Sequence, residues 1–327
     1  MNNIANASSK IREELFSQSA HAFGTTNAII EKDFWVVWIL DKIFTNAHLN
    51  KILMFKGGTS LSKVFHLIGR FSEDIDLILD WREITREDLS QPLETKNKQV
   101  KCNESINQEA LHYIREKLLP IISETLSPLC TCSIDKSNPY NIQVNYPAAF
   151  NDPYLRSQVL LEIGPLASWL PYGEFEITSY AAEQFPNVFG QTTTHVKAIV
   201  AKRTFWEKAT ILHQEANRDA SKPLPLRYSR HYYDLAMMAQ SLIKDEALAD
   251  MELLERVVAF KMQFYPSSWA KFEDAKKGTL KLIPLEYRLE ALKKDYIAMQ
   301  HMIFQKQCSF EEIIQILQRL EDEINQQ

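Results

Sequence analysis

The sequence predicts an α+β protein: a small mixed sheet with flanking helices, followed by a helical C-terminal half. Short apolar, strand-like segments lie at residues 52–55, 73–79, 141–147 and 157–164, between helix-like segments. From about Ala182 the pattern is helical to Gln327, with breaks at SKPLPL, YPSSW and KGTLKLIPL. We therefore expect two domains, residues 1–181 and 182–327.

The composition is that of a folded protein of 327 residues, with 45% hydrophobic and 24% charged residues. The longest apolar stretch, FWVVWIL, is far shorter than the ~20 residues of a membrane span. The first residues lack the pattern of a secretory signal, and the four cysteines form no disulfide framework. These features predict a cytoplasmic protein without membrane association. The net charge of −5 restricts any nucleic-acid surface to a local patch.

Two helical regions frame the first predicted strands. Residues 10–50 indicate helices, and IIEKDFWVVWILDKIF within them is apolar nearly all round, as expected of a helix buried on most faces. Residues 85–110 are polar, which predicts a loop that leads into a helix over residues 110–126.

A glycine-rich turn follows the first strand. Lys56-Gly57-Gly58 leaves the strand ILMF, and Thr59 or Ser60 is a suitable N-cap for the helix SLSKVFHLI. Glycines let the backbone approach a ligand closely, and the first turn of a helix offers N–H groups to a phosphate. The turn therefore predicts a phosphate site.

Two aspartates lie in the next strand, EDIDLIL. Because strand side chains alternate between faces, Asp74 and Asp76 should project from the same face. Neighbouring carboxylates repel each other unless a cation lies between them, and Mg²⁺ favours carboxylates together with phosphate oxygens. Each motif alone is more often structural, but their order along the chain predicts a metal–nucleotide site. Glu73, which faces away, and Asp80, near the strand's end, are not expected to be ligands.

These residues resemble a known family. The spacing from Gly57-Gly58-Thr59-Ser60 to Asp74-Ile75-Asp76 is similar to the signature of DNA polymerase β-like nucleotidyltransferases. The longer string KGGTSLSKVF…RFSEDIDL resembles the AbiEii/AbiGii branch, the toxins of AbiE-type and MenAT-type toxin–antitoxin systems. IIEKDFWVVWIL, FWEKATILHQEA, RYSRHYYDLAMM and LKKDYIAMQHMIF also resemble that branch. The resemblance implies a sheet of polymerase β-like type, and Mg²⁺ or Mn²⁺ as cofactor.

The resemblance also implies the site residues. A third carboxylate is expected on a neighbouring strand, and Glu162 in VLLEIG is the candidate; the alternative is a partly buried Glu paired with a lysine. The implied catalytic residues are Asp74, Asp76, Lys208 and Asp234, and the implied metal ligands are Asp74, Asp76 and Glu162. The implied nucleotide-binding residues are Gly57, Gly58, Thr59, Ser60, Lys63, Arg70 and Ser72.

Three further positions leave alternatives open. Lys208 matches a family lysine that meets the triphosphate, although a helical lysine is usually a solvated charge. Arg70 could hold phosphate or brace the turn. Asp234 could form an ordinary surface ion pair with Arg230. His231 departs from the R-D-x-x-D pattern that is typical of the family, which leaves the role of that position open.

The expected reaction is the metal-dependent transfer of a nucleotide from a nucleoside triphosphate to an acceptor hydroxyl. The resemblance makes the tRNA 3′ end the first candidate acceptor, with a cognate antitoxin as a further partner. Residues 197–230 contain eight Lys/Arg and three Asp/Glu, which is typical of a phosphate-tracking groove or of a solvated helical face. The alternatives are a protein or small-molecule acceptor, or a non-catalytic nucleotide-binding or partner-binding relative.

Overall fold

The computed structural model describes residues 1–86, 89, 91–152, 155–304 and 308–326. The chain forms two compact units. The first comprises Met1–Val64, Phe71–Gln91 and Lys101–Ile199, and the second comprises Phe65–Arg70, Pro92–Val100 and Val200–Gln327. The structure therefore divides the chain after Ile199, later than the expected boundary at 181/182, and it adds two short earlier segments to the second unit.

A seven-stranded mixed sheet lies in the first unit, within the residues that the structure describes. Its strands are β1 (Leu53–Lys56), β2 (Ile75–Leu79), β3 (Thr131–Ile134), β4 (Asn141–Asn145), β5 (Gln158–Gly164), β6 (Tyr172–Thr178) and β7 (Thr193–Ile199). Their order is β3-β4-β5-β2-β1-β7-β6. The pairs β2–β5 and β1–β7 are parallel, and the other neighbours are antiparallel. The mixed α+β architecture predicted from the sequence is confirmed.

Eight α-helices accompany this sheet in the described part of the chain. They are α1 (Asn2–Ala5), α2 (Ser9–Phe23), α3 (Asn27–Thr45), α4 (Ala47–Ile52), α5 (Gly57–Lys63), α6 (Lys96–Tyr113), α7 (Leu119–Leu126) and α8 (Tyr180–Gln184). The first turn of α6 is counted with the second unit. A π-helical segment, Ile114–Leu118, connects α6 to α7. The prediction that IIEKDFWVVWILDKIF is buried on most faces is confirmed, because α3 is buried along nearly its whole length.

The core of the first unit lies between α3 and one face of the sheet. Alternate strand residues, among them Phe55, Leu77 and Leu161, join the residues of α3 in one buried cluster. The intervening residues point to the opposite face because strand side chains alternate. There Met54 and Ile78 form a second, smaller apolar cluster.

Helix α6 corrects the prediction of a polar loop over residues 85–110. It begins at Lys96, and its buried positions follow helical spacing at Gln99, Asn103, Ile106 and Ala110. Two of these four residues are polar, so the apolar periodicity that marks a helix is absent from the sequence. Glu87, Asp88 and Ser90, in the same predicted loop, lie outside the described residues.

The second unit is helical. Its α-helices, in the part that the structure describes, are α9 (Ala201–Ala216), α10 (Ser229–Met238), α11 (Leu242–Leu248), α12 (Met251–Phe264), α13 (Glu286–Met299) and α14 (Phe310–Gln326). Helix α9 packs against α10, α11 and α12, while α10 packs against α13 and α14. The predicted breaks fall between these helices. The helical pattern begins later than Ala182, because β6 is followed by the short α8 and then by strand β7. No helix among the described residues has the length and apolar character to cross a membrane.

Candidate active site

A row of polar residues crosses the sheet on the face opposite α3. The β1–β2 register places Lys56 beside Asp76, and the β2–β5 register places Asp76 beside Glu162. Asn141 lies beside Glu162 on β4. Residues paired in register share a face, and neighbouring strands are ~4.8 Å apart. Glu162 therefore neighbours Asp76 on the next strand, where the third carboxylate was expected. Its role as a metal ligand stays a prediction.

Gly57 leaves the space that the Asp76 carboxylate fills. The residue is the first of α5 and has φ of 80°, in the left-handed region that favours glycine. A Cβ atom at this position would lie 1.8 Å from Oδ2 of Asp76, which is far inside van der Waals contact. The first glycine of the turn thus has a steric reason: Gly57 brings the start of α5 against a carboxylate of the polar row.

The start of α5 differs from the sequence prediction. Neither Thr59 nor Ser60 is the N-cap; the helix begins at Gly57, Lys56 occupies the cap position, and no side chain caps it. The Thr59 hydroxyl donates a hydrogen bond to the carbonyl oxygen of Asp74. The Ser60 hydroxyl bonds back to the carbonyl oxygen of Gly57 at 2.8 Å. Thr59 therefore ties the helix to the residue that directly precedes β2.

Lys63, a predicted nucleotide-binding residue, is buried in the structure. Its ammonium lies 2.8 Å from Oδ1 of Asp33, with the Lys63 side chain 3% exposed. The same ammonium lies 3.7 Å from the ring centroid of Tyr180. The observed role of Lys63 is to anchor the end of α5, and a nucleotide contact stays a prediction. Gly58 in α5 and Ser72 before β2 are half-buried.

A second cluster of charges lies in the helical unit. Arg70 binds Asp234 through two hydrogen bonds, Nε to Oδ1 at 2.7 Å and Nη2 to Oδ2 at 2.8 Å. The Lys208 ammonium lies 2.8 Å from Oδ2 of the same carboxylate. Asp234 is fully buried, so the suggestion of a surface pair with Arg230 was wrong. The observed contact of Arg70 is with Asp234, and its two predicted roles, holding phosphate or bracing the turn, stay predictions.

The electrostatics of this cluster follow from burial and pairing. Burial by itself would raise the pKa of Asp234, but Arg70 and Lys208 more than offset it and hold the pKa well below its ordinary value. Burial lowers the pKa of Lys208, opposed by Asp234. Burial and the neighbouring Lys208 and Arg230 lower the pKa of His231 well below its ordinary range. Within the described residues, Nδ1 of His231 has no hydrogen-bond partner.

The basic segment 197–230 is partly neutralised by ion pairs. Lys202 pairs with Asp250 at 2.7 Å, and Lys208 pairs with Asp234; both acids lie outside the segment. Two further pairs form within it, Arg203–Glu207 and Arg218–Glu215. The excess of positive charge counted along the sequence is therefore smaller in three dimensions. A phosphate-tracking groove in this region stays a prediction.

The carboxylates fit a divalent metal by their chemistry. Mg²⁺ binds through one or two carboxylates and completes its coordination with water and substrate phosphate oxygens. Asp76 and Glu162 on neighbouring strands supply that donor set, and Asp74 lies one residue before β2. Among the described residues, no group of three or more His, Cys, Asp or Glu is arranged to hold a metal ion. The fit therefore rests on the pair.

A mixed sheet with carboxylates on neighbouring strands, beside a helix that begins at glycine, has the features implied for a nucleotidyltransferase. The chain matches the family model "Nucleotidyl transferase AbiEii toxin, Type IV TA system" over residues 38–316, and it belongs to that family. It is therefore a member of a family of nucleotidyltransferase toxins, for which a nucleotide substrate and a cognate antitoxin are implied.

The chain is also similar to solved structures. The chain is similar to MenT4, a nucleotidyltransferase toxin from Mycobacterium tuberculosis H37Rv, with 14% sequence identity and a TM-score of 0.47. The match covers 95% of this chain and 97% of that one. No curated protein matches the chain.

Two members of the polar row, Lys56 and Asn141, were not predicted from the sequence. Both occupy the face of the sheet opposite α3, next to the carboxylates, as the strand register shows. The available signal was the alternation along ILMFK, which places Lys56 on the face opposite Phe55. Pairing between strands, which brings these residues beside Asp76 and Glu162, is not encoded in any local pattern.

Proposed function

We propose that this protein is a divalent-metal-dependent enzyme that transfers a nucleotide from a nucleoside triphosphate to a hydroxyl at the 3′ end of tRNA. The observation that supports this most is the pairing of Asp76 with Glu162 on neighbouring strands, with Gly57 vacating the space beside the Asp76 carboxylate. Like charges on adjacent strands repel each other, so a divalent cation bound between the two carboxylates would stabilise this part of the sheet.

In this proposal Asp76 and Glu162 hold Mg²⁺ or Mn²⁺, and Asp74, directly before β2, is the further ligand that the family resemblance implies. The bound metal would supply charge stabilisation at the reacting phosphate and at the departing pyrophosphate, and would help to ionise the acceptor hydroxyl. Gly57 and Gly58 let the α5 backbone approach the donor phosphates, and Ser72 is a further proposed contact. Thr59 and Ser60 are buried, so they are proposed to act through the position of α5. The hydrogen bond from Thr59 to the Asp74 carbonyl keeps the helix and the carboxylates in register.

Lys208 is the proposed triphosphate contact of the helical unit. An ammonium has three N–H donors, so the bond to Asp234 leaves donors for a phosphate. Asp234 and Arg70 would then hold Lys208 in position. The lowered pKa of Asp234 supports this role, because it keeps the carboxylate ionised between the two cations. Lys63 is proposed to act indirectly, through the position of α5.

The acceptor is an RNA hydroxyl in this proposal because the family consists of toxins, and modification of tRNA ends would stop translation. A cytoplasmic location, where tRNA and nucleoside triphosphates meet, follows from the same argument. The alternatives are a protein or small-molecule acceptor and a non-catalytic binding function. The experiment described next distinguishes them.

The test is an incubation of the purified protein with Mg²⁺, total tRNA and each of the four nucleoside triphosphates in turn, labelled at the α- or the γ-phosphate. We expect the α-label to appear in tRNA and the γ-label to leave as pyrophosphate. Label in protein or in a small molecule would keep the enzyme and change the acceptor. Transfer to no acceptor, with triphosphate still bound, would indicate a binding protein.

A further inference from the structure

Three consecutive charged residues are buried in the apolar helix α3. Glu31, Lys32 and Asp33 are 1%, 2% and 1% exposed, respectively. Burial of a charge is expensive unless it is paired, and apolar residues of similar volume often stabilise a core at least as well as an ion pair. The triplet therefore calls for an explanation other than packing.

Lys32 reaches the segment that carries the first predicted metal ligand. Its ammonium lies 2.6 Å from Oε2 of Glu73, with the two side chains 2% and 17% exposed. Glu73 directly precedes Asp74, whose carbonyl oxygen accepts the hydrogen bond from Thr59. The chain at Asp74 is thus attached to α3 on one side and to α5 on the other.

Asp33 anchors α5 itself. It pairs with Lys63 at the last position of that helix and accepts a hydrogen bond from the backbone N–H of Tyr180 at 2.7 Å. Glu31, by contrast, accepts bonds from the backbone N–H groups of Ala149 and Phe150 at 2.7 and 3.0 Å. Two residues of the triplet therefore hold the glycine–aspartate region, and the third holds a different loop.

We propose that Lys32 is a positioning residue of the metal site: through its ion pair with Glu73 it fixes Asp74 beside Asp76. The inference rests on the proposed function, because it assumes that these aspartates bind the metal. A hard cation such as Mg²⁺ tolerates little deviation from its coordination geometry, so the segment before β2 must be rigid before the ion arrives. Residues that orient metal ligands commonly change metal affinity by about 10- to 100-fold when they are replaced.

The experiment measures Mn²⁺ binding to the full chain by calorimetry, together with thermal unfolding. The variants are Lys32→Met and Glu73→Gln, alone and combined. The matched control is Glu31→Gln, which changes the neighbouring buried charge but leaves the Glu73 contact in place.

We expect the Kd for Mn²⁺ to rise about 10-fold in each single variant and no further in the double variant, because either change breaks the same pair. Glu31→Gln should lower the Tm and leave the Kd within about twofold of the wild type, since its bonds go to Ala149 and Phe150.

Lys32→Arg is the conservative variant and should restore part of the affinity, since it keeps the positive charge. If Lys32→Met does not fold, the isosteric Glu73→Gln decides the question. A lowered Tm with a wild-type Kd in Glu73→Gln would overturn the inference, while the proposed function would stand. Mn²⁺ binding that is absent from the wild type, or that survives Asp76→Asn, would overturn both the proposed metal site and the inference.

Discussion

At the residue scale, Gly57 is the position that most directly connects the sequence motif to the site. Its left-handed φ and its contact with Asp76 are two separate requirements for glycine. Gly24 at the end of α2 has φ of 75°, but a Cβ atom added there would meet no atom of the described residues within 4 Å, so Gly24 shares only the first requirement. The two glycines thus allow backbone strain and steric displacement to be separated.

We predict that Gly57→Ala abolishes nucleotide transfer and weakens Mn²⁺ binding, because the new methyl group displaces the Asp76 carboxylate. Gly24→Ala should cost about 1–2 kcal/mol of stability for the left-handed conformation and leave transfer unchanged. Activity assays and urea unfolding of both variants make the comparison. Full activity in Gly57→Ala would show that the Asp76 carboxylate is not required where the structure places it.

At the scale of elements, helices α9 and α10 share one buried carboxylate. Asp234→Asn would leave Arg70 and Lys208 buried without their anion, and the loss of one partner from a buried pair typically costs about 3–5 kcal/mol. Asp250→Asn is the matched control: its pair with Lys202 is half-exposed, and asparagine still caps α12, so we expect less than about 1 kcal/mol. If urea unfolding shows equal losses of unfolding free energy in Asp234→Asn and Asp250→Asn, the assigned pairing of Asp234 is wrong.

The same carboxylate gives a pH dependence with a definite sign. The pKa of Asp234 is lowered in the folded state, so its contribution to stability is present above its ordinary unfolded value of about 3.9 and is lost as the pH falls through the folded value. The difference in unfolding free energy between wild type and Asp234→Asn should therefore be constant from about pH 5 to neutrality and shrink only in stronger acid. Shrinkage near neutral pH would show that the carboxylate is not held between two cations.

Lys208 gives a kinetic prediction for helix α9. Lys208→Met should raise KM for the triphosphate, lower kcat, or both, because it removes a charge that we propose meets a phosphate. Mn²⁺ binding at the carboxylates should be retained. Lys202→Met, on the same helix, removes a half-exposed lysine paired with Asp250 and should leave the kinetics unchanged. If the wild type, Lys208→Met and Lys202→Met have identical kinetics, Lys208 has only a structural role.

Local sequence patterns predicted some of the strands and missed others. Strands β1, β2, β4 and β5 were predicted because each has apolar residues that enter the core. Strand β6 was missed because nearly all of its residues are at least partly exposed, so YGEFEIT lacks a buried apolar face over most of its length. Strand β7, TTHVKAI, was assigned to the helical half, although Val196, Ala198 and Ile199 are buried. The Arg70–Asp234 pair joins residues 164 positions apart, a contact that only the tertiary fold creates.

At the scale of the whole molecule, the family assignment predicts toxicity. Expression of the wild-type chain alone in a bacterial cell should arrest growth, because under the proposed function the tRNA would be extended at its 3′ end and could not be aminoacylated. The Asp74→Ala Asp76→Ala variant should not arrest growth, although it keeps the basic residues of the helical unit. Growth curves with protein synthesis measured in parallel make the comparison. Equal arrest by both proteins would indicate that binding, and not catalysis, is toxic.

The central claim is that the carboxylates of the polar row bind the divalent metal that nucleotide transfer requires. Its most direct test is the single-turnover transfer of α-label from the preferred triphosphate to tRNA by the wild type and by Asp76→Asn, with the fold of both verified by thermal unfolding. We predict rapid transfer by the wild type and a loss of several orders of magnitude in the variant, because its metal site would be lost. A folded Asp76→Asn protein that transfers label at the wild-type rate would contradict the claim.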